Sequence, residues 1–173
     1  ASVVLIAAPT ALDDPPGMRT VHVETAEEMR TAVLEACKGA DALVMAAAVA
    51  DYRPSSAGET KIKKTEESLS IDLVKTPDIL AESPRDIIRV GFAAESNDLL
   101  DNAREKLVDK GLDLIVANDI TLPDAGFGAD TNKVTILDAQ GDDDLPLMSK
   151  YDVGIRIIDR IVALLATRRP SRV

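Results

Sequence analysis

Short apolar runs separated by helical segments recur along this chain, and that alternation restricts its fold more than any other feature. The runs are "SVVLIAA" (2–8), "TVHV" (20–23), "ALVMAAA" (42–48), "LSIDLV" (69–74), "IIRVGFAA" (87–94), "LDLIVAND" (112–119) and "KVTIL" (133–137). Each is too short for a buried helix and rich in β-branched residues, so each reads as a strand. Between them lie helix signals. Thr25 opens "TAEE", a capping box in which Glu28 reaches back to the Thr25 backbone. That helix runs to about Lys38, with Ala26, Met29, Val33 and Cys37 on one face and Gly39 as its stop. A short helix opens at Pro77, a longer one covers 99–110, and Ser149 caps the last. The last helix is expected to bury Tyr151, Ile155, Ile158, Ile161, Val162 and Leu165 as its stripe, and "RRPSRV" reads as a solvated tail.

Strand–helix alternation predicts an α/β fold with a mainly parallel, doubly wound sheet, organised as a single domain over residues 1–173. "ALVMAAA" is apolar on both faces, which predicts a central strand. Aromatic residues are scarce (two Phe, two Tyr, no Trp), so the core is built from Ala, Val, Ile and Leu. No apolar run has the length of a membrane span. The single cysteine, Cys37, cannot form an internal disulfide and fits a reducing cytoplasm. Net charge is −10 and the pI about 4.6, which excludes a large basic surface for nucleic acid. Within this acidic chain Lys61, Lys63, Lys64 and Lys75 cluster, and such a cluster calls for a small anion.

Open α/β sheets bind ligands beyond the carboxyl ends of their strands. That rule singles out 48–51, 75–77, 93–97 and 118–119. Asp51 ends an Ala/Val run whose small side chains let a ligand approach the backbone; it either holds a metal–phosphate complex or a ribose hydroxyl, or caps the next turn. In "KIKK" an extended backbone puts Lys61 and Lys63 on one face, either to neutralise a triphosphate or to protect an edge strand. Lys106 and Lys110 share a face at a helix C-terminus, where the macrodipole alone already favours cations. Pro77 at a helix start leaves backbone N–H groups available. His22 has no neighbouring His or Cys in sequence, Cys37 reads as core, and "DDD" (142–144) reads as a solvated turn rather than a metal site.

Taken together, "AAVADYRP…KIKK", "KTPDIL", "GFAAES" and "LIVAND…GFGADTNKV" resemble the phosphopantothenate–cysteine ligase (phosphopantothenoylcysteine synthetase) domain over nearly the whole chain, in order and spacing. In bacteria this domain is often the C-terminal half of a bifunctional coenzyme A biosynthesis protein. The resemblance implies a cytoplasmic, Rossmann-like homodimer. It further implies CTP and Mg²⁺-dependent activation of 4′-phosphopantothenate to an acyl-cytidylate, then attack by L-cysteine. Carried over by motif, Ala46 and Ala47 lie against the nucleotide, and Asp51 faces the triphosphate and its metal. Lys61 serves activation, and its segment reaches across the dimer interface. Pro77, Asp78, Ile79, Leu80 and Phe92 line the nucleotide pocket, with Lys106 and Lys110 as further nucleotide contacts. Asn118, Phe127 and Asn132 serve the phosphopantothenate side.

The family opens with a strand, a Gly-rich turn and a helix bearing an Asn-Arg-Ser-Ser-Gly-like motif. The expectation is that this unit of about 30 residues is missing from the 173 residues, which begin at the family's second strand. The flavin-dependent decarboxylase half, with which the native domain is fused or associated, is absent too, so no FMN and no decarboxylase activity are expected. Two other readings compete. A nicotinamide-dependent oxidoreductase would need a GxGxxG turn and a following acid, and neither is present. A non-catalytic nucleotide-binding or assembly module would bind CTP without turnover.

Overall fold

The structure, a computed structural model, describes residues 1–56, 70–95, 99–119 and 128–168. In chain order the elements are β1 (Val4–Ala7), β2 (Arg19–His22), α1 (Ala26–Ala36), β3 (Ala42–Met45), β4 (Tyr52–Pro54), β5 (Leu73–Lys75) and α2 (Ile79–Glu82). There follow β6 (Ile88–Glu95), α3 (Leu99–Asp109), β7 (Leu114–Asp119), β8 (Thr131–Asn132), β9 (Val134–Asp138), β10 (Gly141–Asp144), β11 (Met148–Ser149) and α4 (Lys150–Arg168). They group into two compact units, one of 1–36 with 47–79, the other of 37–46 with 80–173.

In the first unit β1 and β2 run parallel, Val4 opposite Arg19 through Ala7 opposite His22. The capping box at α1 forms as expected: the Glu28 amide donates to Thr25 Oγ1 at 3.1 Å, and Glu28 Oε2 accepts from the Thr25 and Glu24 amides at 3.3 and 2.7 Å. Met29 and Val33 are buried on the predicted face. β4 and β5 form a two-stranded antiparallel ribbon, Tyr52 opposite Lys75 and Pro54 opposite Leu73.

The second unit holds a five-stranded sheet in the order β10-β9-β7-β6-β3. β3, β6 and β7 are parallel; β9 and β10 join antiparallel. One face carries Ile88, Val90, Leu114, Val116 and Ile136 against Val153, Ile157 and Ile161 of α4. The other carries Ala93, Ile115, Ala117 and Leu137 against Leu80, Ala103 and Leu112. Helical cover on both faces explains the near-continuous apolar strands, and the doubly wound, mainly parallel expectation holds.

Three expectations need correction. β3 lies at the edge of its sheet among the described residues, not at its centre. Ala42 packs into one core and Leu43 and Met45 into the other, while Val44, on the Ala42 face, is 43% exposed, so only part of the strand's apolar run is buried. The α4 stripe is also displaced. Ile161 is buried and Leu165 packs partly against the core, but Tyr151 (77% exposed), Ile155, Ile158 and Val162 face solvent. Val153, Ile157 and Ile161 do the packing instead. α4 is apolar on two faces, both at helical spacing, so periodicity alone could not choose between them.

Finally, "DDD" is not a turn but β10, paired with β9. Its carboxylates alternate across the strand: Asp142 pairs with Arg104 of α3, while Asp143 pairs with Arg156 of α4 at 3.2 Å. Asp144 pairs with Lys133 and accepts from Thr135 Oγ1 at 3.0 Å. Charge on an edge strand also discourages unwanted pairing.

Candidate functional site

β6 and the helix that returns along it bring several of the expected residues together. Phe92 is half-buried in β6, and its carbonyl accepts from Lys106 Nζ at 3.3 Å across to α3. Lys106 and Lys110, one turn apart, line a shallow cavity of about 290 Å³ with Asn102, Glu105 and Asp109. That cavity is walled by one helix, and its two ammonium groups alternate with two carboxylates. It is therefore a rim that can grip part of an anion rather than a complete pocket.

Leu80 packs on the same face of the sheet as α3. A Cβ placed on Gly91 would meet Leu112 Cδ1 at 2.7 Å and Leu80 Cδ2 at 3.2 Å, so only glycine lets these side chains come so close to the strand. Ile79 and Leu80 are both buried, at 3% and 7% exposure. Their side chains belong to the core, and only their backbone is left to meet a ligand.

Beneath this lies a residue that the sequence reading passed over. Arg89 of β6 is 1% exposed. Its Nη1 donates to the Leu80 carbonyl at 3.1 Å, and its Nη2 donates to the carbonyls of Lys110, at 2.8 Å, and Gly111. Its own backbone N–H donates to Asp113 Oδ2 at 2.8 Å, and the other oxygen of Asp113 accepts from Arg168. Burial is the main reason the guanidinium is easier to deprotonate than usual; Arg85 adds to this, and Asp113 opposes it. The available signal was the single charge inside "IIRVGFAA".

At the end of β7, Asn118 lies opposite Val134 of β9, and Asn132 precedes Val134 by two residues. The Oδ1 atoms of both are buried without a hydrogen-bond partner among the described residues. Asn132 as a whole is 9% exposed. A buried acceptor without a donor is uncommon in a folded protein and calls for an explanation.

In the first unit the Asp51 carbonyl accepts from the Thr76 amide at 2.9 Å, and Thr76 Oγ1 donates to the Ala50 carbonyl. These bonds bring Asp51 beside the segment leading into Pro77. Asp51 and Asp78 are exposed, and Pro77 is half-buried two residues before α2 starts. Ala46 and Ala47 follow β3 directly and are exposed, leaving their backbone open to close approach. Lys61, Lys63, Lys64 and Phe127 lie outside the described residues.

Among the described residues no group of three or more His, Cys, Asp or Glu is placed to hold a metal ion. His22 pairs with Asp14 at 3.1 Å instead. A lone exposed carboxylate such as Asp51 suits Mg²⁺ that takes most of its oxygens from substrate phosphates and water. Cys37 is buried, and burial raises its thiol pKa, as expected of a core residue and not a nucleophile.

The family model of the DNA/pantothenate metabolism flavoprotein C-terminal domain matches residues 1–165. The chain belongs to that family. Among its relatives, the coenzyme A biosynthesis bifunctional protein CoaBC of Bacillus subtilis (strain 168) is 45% identical over 169 residues, covering 95% of this chain and 42% of the relative. CoaBC of Escherichia coli (strain K12) is 40% identical over 170 residues, covering 94% and 42%. The chain thus spans less than half the length of these relatives. A crystal structure of the C-terminal domain of CoaBC superposes with a TM-score of 0.79 at 34% identity, over 96% of this chain and 76% of that one. The DNA/pantothenate metabolism flavoprotein from Streptococcus pneumoniae shares the fold, with a TM-score of 0.75 at 23% identity over 94% and 81%. The resemblance read from "AAVADYRP", "KTPDIL", "GFAAES" and "LIVAND" therefore holds for family and fold alike.

Proposed function

We propose that this chain is the phosphopantothenate–cysteine ligase domain of a coenzyme A biosynthesis protein, and that it uses CTP. The observation that carries the reading is its alignment, across almost its full length, with the C-terminal domain of CoaBC proteins. In the first step a carboxylate oxygen of 4′-phosphopantothenate attacks the α-phosphorus of CTP, forming an acyl-cytidylate as pyrophosphate leaves. In the second, the amino nitrogen of L-cysteine attacks the acyl carbon, CMP departs with the C–O bond electrons, and the nitrogen loses a proton. Both reactants of the first step are anions, so cations must sit where charge accumulates.

Lys61 is assigned to that position, with Lys106 and Lys110 gripping the nucleotide from α3 and Phe92 beside them. Pro77, Asp78, Ile79 and Leu80 offer backbone to the nucleotide, as do Ala46 and Ala47. Asp51 would hold Mg²⁺, which when bound screens the triphosphate and polarises its oxygens. Phosphopantothenate presents amide N–H and hydroxyl donors, and the unpartnered oxygens of Asn118 and Asn132 are acceptors of the matching kind; Phe127 is assigned to the same substrate. The reading carries with it a cytoplasmic homodimer, with the Lys61 segment completing the partner's site. It also carries a flavin-dependent decarboxylase domain, bearing the FMN, in the native protein. No helix among the described residues is long and apolar enough to cross a membrane.

The test is pyrophosphate release with Mg²⁺, 4′-phosphopantothenate and cysteine, comparing CTP with ATP. Release that requires phosphopantothenate and prefers CTP is expected. Nucleotide binding without release would instead identify a binding module.

A further inference from the structure

We infer that Arg89 is a positioning residue for the nucleotide, acting through the turn that closes α3 at Lys110 and Gly111. The inference rests on the reading of Lys106 and Lys110 as nucleotide contacts. The last carbonyls of a helix have no intrahelical donors and carry the negative end of its dipole. At the end of α3 the Lys106, Leu107 and Val108 carbonyls accept from the Lys110, Leu112 and Gly111 amides, and the chain turns back through Lys110 and Gly111, whose own carbonyls are both satisfied by one buried guanidinium. The same guanidinium holds the carbonyl of Leu80, which also accepts from Ser83 Oγ at 2.7 Å.

Arginine suits this task because its planar fork can serve three acceptors from a rigid strand; a lysine ammonium on a mobile stem cannot hold the same geometry. Gly111 adds a second constraint. It lies at φ +57, and a Cβ there would stand 3.2 Å from Arg89 Nη2, so the turn closes tightly over the guanidinium. The consequence is a fixed register between β6 and the end of α3. Lys106 reaches back from α3 to the Phe92 carbonyl of the same strand, so its ammonium keeps its place only while that register holds. Arg89 never touches the ligand, and its contribution is to where Lys106 points.

The experiment measures dissociation constants for CTP and for 4′-phosphopantothenate by titration calorimetry, with Mg²⁺, on the full chain and its Arg89→Lys variant. CTP affinity is expected to fall about tenfold, the scale of a small misplacement of a contact group. Phosphopantothenate affinity is expected to stay within about twofold, and Arg89→Lys should add no further loss once Lys106→Met is present. Unchanged CTP affinity in a folded variant overturns the inference. So does an equal loss for both ligands, or a loss that adds to that of Lys106→Met.

Should Arg89→Lys fail to fold, Gly111→Ala displaces Nη2 with the arginine still in place. It carries the same expectation at about threefold, and unchanged CTP affinity there is equally fatal. A chain that binds CTP but releases no pyrophosphate defeats the ligase reading and not this one. A chain that binds no CTP defeats both.

Discussion

Asp138 gives the sharpest test of how the second unit is held together, through the substitution Asp138→Asn. This carboxylate ends β9, is 4% exposed, and accepts from Arg160 Nε at 2.5 Å and from the Gln140 and Gly141 amides at 2.7 and 3.2 Å. Burial pushes its pKa upward. The hydrogen bond from Arg160, the Gln140 amide, the Arg160 charge and the Gly141 amide outweigh that and hold the group below the usual carboxylate range. Orphaning one partner of a fully buried pair costs about 3–5 kcal/mol. Arg160 is 34% exposed and can turn to water, which lowers the figure. Asparagine also keeps the volume and one acceptor oxygen, so about 2 kcal/mol of lost charge-assisted bonding is the expected net cost.

For a chain of this size that is a fall in Tm of about 4–8 °C at pH 7. Because the folded-state pKa is depressed, the stabilisation is fully present above the unfolded-state value and is lost as pH falls through the folded-state value. Thermal unfolding of wild type and variant, followed by circular dichroism from pH 7 down into the range below ordinary carboxylates, should therefore show the two curves converging. Equal Tm at pH 7, or a gap that widens on acidification, would refute the reasoning.

Lys61→Gln should abolish nucleotide-dependent pyrophosphate release, by at least about a hundredfold, with an unchanged circular dichroism spectrum; retained turnover removes Lys61 from the mechanism. Asn132→Leu removes a buried acceptor that has no donor. It should leave Tm unchanged or raise it, by up to about 1 kcal/mol of stability, while weakening phosphopantothenate binding in the same calorimetric assay; a destabilised variant with normal binding means the side chain is structural. Gly91→Ala should lower stability by about 1–2 kcal/mol in chemical unfolding. The new methyl meets Leu112 and Leu80, and no loss would show that both leucines move aside freely.

What could be read from the sequence divides by range of interaction. The Thr25–Glu28 capping box, the stop at Gly39 (φ +83) and the Ser149 cap, whose Oγ accepts from the Asp152 amide at 3.0 Å, are settled within a few residues. Each appears where the local pattern puts it. The misreadings are all questions of what lies opposite. Whether β3 is central depends on its neighbours in the sheet, which its own composition does not report. Whether α4 buries Val153 or Ile155 depends on which apolar stripe meets β6. Whether three aspartates form a turn depends on Arg104, Lys133 and Arg156, which come from elsewhere in the chain.

The candidate site follows the same division. Asn118, Phe92 and Lys106 could be named because strand ends and family motifs mark them, yet the Lys106–Phe92 bond and the unpartnered oxygens depend on segments far apart in sequence. Arg89 is the extreme case. Its three acceptors are main-chain carbonyls, which no side-chain motif encodes, so a pattern of residue types could show that a charge was buried but not what it was holding. Burying a cation in a strand is costly unless it is fully hydrogen-bonded. That cost makes an isolated arginine inside an apolar strand evidence that nearby backbone, most readily a helix C-terminus, waits to receive it.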